Sequence, residues 1–260
     1  MSSIVFLGTG PGSPVKGKCS SSCLLHASSA KVLIDAGEPC SLRLCDLGIP
    51  ISDIDAVLIT HGHSDHTAGL PMLVQAAWLE KRRRPLPVYM PAELIAPLRA
   101  WLDAVFLPEK LVGFPLIFHP WEAGRHEEIA PGVVVAPFPT THLAGLRRII
   151  EPGASHRFEI FGLDLQAGGQ RVIFSSDLGT PQDLEAVLEQ TCDVLVCELS
   201  HFTPDDLFGF LRGRAIGCLM LNHLAAGLAG REQEIAALAR RELPDVPEIF
   251  VPRDGQTVEF

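Results

Sequence analysis

At 260 residues, 47% hydrophobic and with a mean hydropathy of +0.24, the chain can bury one large core without needing two domains, and no apolar run approaches membrane-spanning length. Its 21 Lys and Arg against 31 Asp and Glu leave a net charge of −10, a surface that repels polyanions and argues against a stable nucleic-acid partner. Seven cysteines (Cys19, Cys23, Cys40, Cys45, Cys192, Cys197, Cys218) form an odd set without a CxxC pair, several of them inside apolar runs; reduced core thiols are expected. With no basic apolar leader, the expectation is one soluble, cytoplasmic domain spanning residues 1–260, with no membrane partner and homo-oligomerisation left open.

In chain order, Ile4-Val5-Phe6-Leu7 reads as a strand ending at Gly8-Thr9-Gly10-Pro11-Gly12, where glycine permits a sharp turn and a close approach. Cys23 to His26 and Lys31 to Asp35 read as a hairpin closed by Asp35-Ala36-Gly37. Asp35 either accepts a hydrogen bond from a ligand histidine or simply starts that turn. Short helical candidates at Ser41 to Leu47 and Ser52 to Ile54 lead into the apolar run Ala56 to Ile59, directly followed by Thr60-His61-Gly62-His63-Ser64-Asp65-His66. Crowding three imidazoles and a carboxylate at the end of a buried strand is costly unless a cation satisfies them. The alternative, a solvated polar loop, explains the crowding less well. The spacing puts His61 and His63 on one side and Asp65 and His66 on the other, two half-sites of a metal centre.

From Thr67 to Lys81, Leu70, Leu73, Val74, Ala77 and Trp78 recur at helical spacing, and the cations Lys81-Arg82-Arg83-Arg84 suit the negative end of that helix better than a phosphate patch. Val88 to Met90 is a strand and Ala92 to Phe106 a helix; Leu116 to Phe118 is a strand, followed by a charged, Gly-rich loop. Val133 to Ala136 then runs to Thr140-Thr141-His142, Arg157 to Gln166 has strand character, and Arg171 to Phe174 leads to Ser175-Ser176-Asp177. A helix near Pro181 to Gln190, a strand Val194 to Glu198, a helix at Pro204 to Leu211, the run Cys218 to Leu221 before Asn222-His223, a helix at Arg231 to Arg241 and strands Glu248 to Val251 and Thr257 to Phe260 complete the chain.

One local pattern occurs four times: an apolar run, two or three small or polar residues, then a side chain able to hold a metal. Runs ending at Ile59, Ala136, Phe174 and Leu221 deliver His61, His142, Asp177 and His223, which would meet if those strand ends share an edge. His201 follows Glu198 at another such end and could reach a leaving group, whereas His26, His119, His126 and His156 have no comparable context.

HGHSDH at 61–66 resembles the HxHxDH signature of the metallo-β-lactamase-fold hydrolases. GTG at 8–10, TTH at 140–142, SSD at 175–177, DVLVCELSHF at 193–202 and NH at 222–223 extend the resemblance to the ribonuclease Z-like branch. That resemblance implies an αββα four-layer sandwich of two mixed sheets flanked by helices, and two divalent metal ions. His61, His63 and His142 would hold the first, Asp65, His66 and His223 the second, with Asp177 bridging. Zinc is expected, although these ligands also accept manganese or iron. The expected chemistry is two-metal hydrolysis of a phosphodiester, with Asp65 orienting the attacking water, and the place of His201 at its strand end makes it, set by Glu198, the candidate general acid.

Three departures bear on the substrate. Cys197 stands where the branch places the histidine of a His-Glu-Ala-Thr motif, and His223 is followed by Leu224-Ala225-Ala226-Gly227 with neither the Ser nor the Arg of the family motif. Only 34 residues separate His142 from Asp177, too few for a tRNA-gripping arm. A small or short single-stranded phosphodiester is therefore expected rather than pre-tRNA. Arg147 and Arg148 could bind its phosphate but read more simply as a solvated pair. Hydrolysis of a lactone, thioester or other acyl ester is the alternative, and a non-catalytic metal-binding member of the fold ranks behind both.

Overall fold

The computed structural model describes residues 2–27, 29–150 and 156–260, with only the backbone at 147 and 148. Strands β1 (Ser3–Gly8), β2 (Ser22–Ala27), β3 (Ala30–Ile34), β4 (Ala56–Leu58), β5 (Leu86–Met90) and β6 (Leu116–Pro120) form one sheet in sequence order. A second sheet holds β7 (Glu127–Ala130), β8 (Val133–Pro139), β9 (Phe161–Ala167), β10 (Gln170–Phe174), β11 (Cys192–Leu199), β12 (Ile216–Leu224) and β13 (Glu248–Phe250). The last strand, β14 (Thr257–Glu259), returns to pair with β1.

Both sheets are mixed. Hairpin-type antiparallel pairing gives way to a parallel run, β3 to β6 in the first sheet and β10 to β13 in the second. Parallel strands buried on two faces need apolar residues at every position, which is why the sequence shows apolar runs instead of alternation. Ile4, Phe6, Leu25 and Leu58 meet Leu163, Leu165, Val196 and Met220 between the sheets. The alternate residues Val5, Leu7, Leu24, Leu33 and Val57 face outward beneath α1 (Cys40–Asp46), α3 (Leu70–Leu79) and α4 (Ala92–Ala104), α2 being the single turn Ser64–Thr67. The short α5 (Glu109–Val112) closes that layer; on the other side Leu195, Cys197, Leu219 and Leu221 face α6 (Pro204–Leu211) and α7 (Glu232–Glu242). These are the four expected layers. Among the described residues no helix is long and apolar enough to cross a membrane.

Several local expectations change. The β2–β3 hairpin ends on the pair Ala27–Ala30, Ser28 lying outside the described residues, while Asp35 to Gly37 lead away from the sheet. The single helix expected over Thr67 to Lys81 is broken at Ala68 and Gly69, because Gly69 N–H donates to Ala36 O at 2.7 Å and a Cβ there would lie 2.8 Å from that oxygen. Arg82 is not a helix-end cation facing solvent. Only 2% exposed, its guanidinium donates to the carbonyls of Ser52, Ile54, Arg84 and Pro85. The helix expected over Pro181 to Gln190 shrinks to one 3-10 turn, Pro181–Leu184, with a further turn closed by Leu188 N–H on Leu184 O at 3.0 Å. β9 starts at Phe161 rather than Arg157, since the N–H groups of Arg157 and Glu159 donate to the Glu93 carboxylate instead of a neighbouring strand. Two further elements have no counterpart among the expected ones: α5, and the edge strand β7 within the charged, Gly-rich stretch.

The glycines at 8 and 10 are required by a crossing chain. A Cβ on Gly8 would fall 1.9 Å from Ser20 O, and one on Gly10 2.8 Å from Cys19 O. At the edge where β4 ends, Trp121 Nε1–H, just past β6, donates to Ile59 O at 2.8 Å within the first sheet, and Phe161 N–H of β9 joins the two sheets by donating to Thr60 O at 3.1 Å.

Candidate metal centre

The C-terminal ends of β4, β8, β10 and β12 lie along one edge, and each carries a side chain of the pattern read from the sequence. Just past β4, Thr60 fixes the loop by donating through its N–H (2.8 Å) and its hydroxyl (3.0 Å) to Asp35. The Asp35 carboxylate also takes the Nδ1 proton of His66 at 2.7 Å, so of its two sequence readings the acceptor behind a histidine is the one realised. Holding Asp35 there puts its φ at +57°, a region Asp tolerates better than most residues. The turn α2 then swings Asp65 and His66 inward, and Gly37 packs so closely beneath that a Cβ would sit 2.2 Å from Asp65 O.

Seven side chains converge in two groups. His61, His63, His142 and Asp177 form one and Asp65, His66 and His223 the other, each with ligand atoms within 4.8 Å of one another. Asp177 stands between them. Its Oδ2 lies 3.8 Å from His61 Nε2 and 3.7 Å from His142 Nε2, while its Oδ1 lies 3.4 Å from His66 Nε2 and 3.5 Å from His223 Nε2. Asp65 Oδ2 faces His66 Nε2 at 3.4 Å and His223 Nε2 at 3.8 Å. These separations are too long for hydrogen bonds and close to the roughly 3.3 Å between ligands of a tetrahedral ion with bonds of about 2.0–2.1 Å. The buried atoms His61 Nε2, His66 Nε2 and Asp65 Oδ2 have no hydrogen-bond partner among the described residues. Both groups fit a divalent metal ion: their free donors point at a common space, and burying them unpaired is costly.

Electrostatics agree. Burial holds His61 well below the usual imidazole range and His142 down to about 4, leaving both neutral with a free lone pair. Burial alone would lower His66 too, but Asp177 and Asp35 outweigh it and hold the ring well above its ordinary value. For Asp177, burial opposes ionisation while His66 and His223 outweigh it, keeping the group a carboxylate.

A family profile for the beta-lactamase superfamily domain matches residues 31–241, spanning every one of these ligands. The chain belongs to the beta-lactamase superfamily. Ribonuclease Z of Pseudomonas putida is 38% identical over 117 residues, 44% of this chain but only 37% of that enzyme. The anti-Pycsar protein Apyc1 of Saccharibacillus brassicae is 30% identical over 180 residues, covering 64% of this chain and 74% of Apyc1. Among solved structures, the metallo-beta-lactamase fold protein YhfI from Bacillus subtilis superposes with a TM-score of 0.77 at 18% identity, over 100% of this chain and 99% of that one.

This member of the superfamily completes its rim with His201. The ring packs on His142 with 4.2 Å between centroids, and its Nε2 lies 4.0 Å from Asp177 Oδ2. Glu198, 3% exposed, fixes it by accepting from Nδ1 at 2.8 Å and from the backbone N–H groups of Ser200 and His201. Burial would lower His201, yet the bond to Glu198 and the nearby carboxylates hold it above its ordinary value. Cys197 is not at the site, because β11 turns it to the outer face against α6 and α7. The side chains of Arg147 and Arg148 lie outside the described residues. Two contributors were not read from the sequence: Thr60, whose hydroxyl also stands 3.1 Å from His61 Nδ1, and Asp183, which has no motif to mark it.

Proposed function

We propose that the chain is a dinuclear metal-dependent hydrolase of phosphodiesters, acting on a small or short single-stranded substrate. The observation that carries this reading is Asp177, one carboxylate with an oxygen turned to each of two histidine groups. His61, His63 and His142 would hold one cation, Asp65, His66 and His223 the other, and Asp177 both. Bound there, the cations, for which zinc suits the ligands, supply Lewis acidity toward a phosphoryl oxygen and lower the pKa of water. Asp65 would orient the attacking water. Glu198 holds Nδ1 of His201 and favours the charged ring, so His201 would present a proton on Nε2 and give it to the leaving oxygen.

The ribonuclease Z relatives support the phosphodiester bond, and two features of this chain support a short substrate. The 34 residues between His142 and Asp177 are largely spent on a 3-10 turn, β9 and β10, and the net charge of −10 repels a long polyanion. The test is turnover by the purified zinc-loaded protein of dinucleotides, a folded tRNA precursor and acyl esters side by side. Dinucleotide hydrolysis that is lost on chelation is expected. Faster turnover of lactones or thioesters would shift the assignment to an acyl hydrolase.

A further inference from the structure

The two groups of ligands are not anchored alike. His61 and His63 follow a buried strand and are braced by Thr60 and Asp35, whereas His142 opens a 3-10 turn, His142–Arg148, in which Ala144 and Gly145 are exposed. What fixes His142 relative to Asp177 lies behind them both. The Asp183 carboxylate accepts from Thr141 N–H at 2.9 Å and from Thr141 Oγ1–H at 2.9 Å, and on the other side from Gly179 N–H at 2.8 Å. Thr141 immediately precedes His142, and Gly179 is two residues beyond Asp177. Asp183 is itself held, because its turn buries Pro181 and Leu184. The two loops touch closely: a Cβ on Gly179 would lie 2.2 Å from Thr141 Oγ1, and Thr140 Oγ1–H donates to Asp177 O at 2.7 Å.

We propose that Asp183 is a positioning residue of the metal centre, splinting the loop that delivers His142 to the loop that delivers Asp177. The inference rests on the two-ion reading above. Hydrogen-bonded residues behind metal ligands set affinity by 10- to 100-fold in general. Here the effect should fall on the group of His61, His63, His142 and Asp177 more than on that of Asp65, His66 and His223, whose orienting contact is Asp35.

The experiment titrates Zn2+ into the metal-free full-length chain against a chromophoric chelator, with circular dichroism and thermal midpoints recorded alongside. The unsubstituted chain should take up two ions. Asp183→Ala should weaken one of the two affinities by about 10- to 100-fold. Asp183→Asn, which keeps one acceptor oxygen, should fall between, and Thr141→Ser, which keeps the hydroxyl, should stay near the parent. Gly179→Ala, which wedges the same joint with a methyl group, should reproduce the loss at the same ion. If Asp183→Ala does not fold, Asp183→Asn and Gly179→Ala decide. Two ions in the parent with both affinities unchanged in the variants overturn the role of Asp183 and leave the two-ion reading intact. A lowered midpoint with the ratio of affinities unaltered marks Asp183 as merely structural and also overturns it. Fewer than two ions in the parent overturns the two-ion reading and this inference with it.

Discussion

Asp35→Asn separates the role of a carboxylate from that of its shape. Asp35 is 4% exposed and holds three hydrogen bonds, from Thr60 N–H, Thr60 Oγ1–H and His66 Nδ1–H. Asparagine keeps the volume and tolerates the positive φ of +57° at this position. Its oxygen must stay opposite Thr60 N–H, which can only donate, so the amide NH2 takes the place of the oxygen now facing His66. Two donors then confront each other, and His66 is forced to carry its proton on Nε2. That nitrogen lies 3.4 Å from both Asp65 and Asp177, in the space the second cation would fill. A disturbed orienting bond of this type costs 10- to 100-fold in metal affinity, or about 1.4–2.8 kcal/mol. Isothermal titration of Zn2+ into the metal-free protein is the assay. One affinity should weaken by that factor while the other holds, with phosphodiester turnover at limiting zinc falling in parallel. Two unchanged affinities would refute the reasoning, since they would mean that the Asp35–His66 bond does not set the tautomer.

His201→Ala should slow alkyl leaving groups by roughly 100-fold or more and activated aryl phosphodiesters far less, because only the former need a proton in the transition state; equal losses on both would remove His201 from that role. In the metal-free protein the raised His66 contributes stability that is complete below the ordinary imidazole pKa and lost as pH rises through its raised value. The depressed Asp177 contributes stability present above the ordinary carboxylate pKa and lost as pH falls through its depressed one. Zn2+ uptake should therefore displace the proton from His66 Nε2, and calorimetry in buffers of different ionisation enthalpy should register proton release, none being the contrary result. Arg82→Ala, which strands buried carbonyls far from the site, should cost about 3 kcal/mol in a denaturant melt with zinc content unchanged; a cost near zero would show that water reaches those oxygens.

The candidate ligands were legible in the sequence because each sits a few residues past an apolar run, so strand and side chain are read from one stretch. His61, His142, Asp177 and His223 all come from that grammar. Parallel strands whose C-terminal ends share an edge are enough to gather them. What could not be read is tertiary. The break at Gly69 exists because residues 36–40 cross it, and Arg82 is buried because Ser52 and Ile54 present carbonyls to it. The edge strand β7 carries Glu127 and Glu128, and only its pairing with β8 makes it a strand. Pro181 to Gln190 has the composition of a helix, yet it forms a 3-10 turn and one further turn, closed by Leu188 N–H on Leu184 O, with both leucines buried in the layer that holds α6. Cys197 looked like a replaced catalytic residue in the motif, but the two-residue repeat of its strand turns it away from the site while Glu198 orients His201.

The most direct measurement is anomalous scattering at the zinc edge from crystals of the zinc-loaded protein. Two peaks are expected, one about 2.0–2.2 Å from ligand atoms of His61, His63, His142 and Asp177, the other at the same distance from Asp65, His66, His223 and Asp177. A single peak, or peaks away from Asp177, would contradict a centre built on two ions sharing that carboxylate.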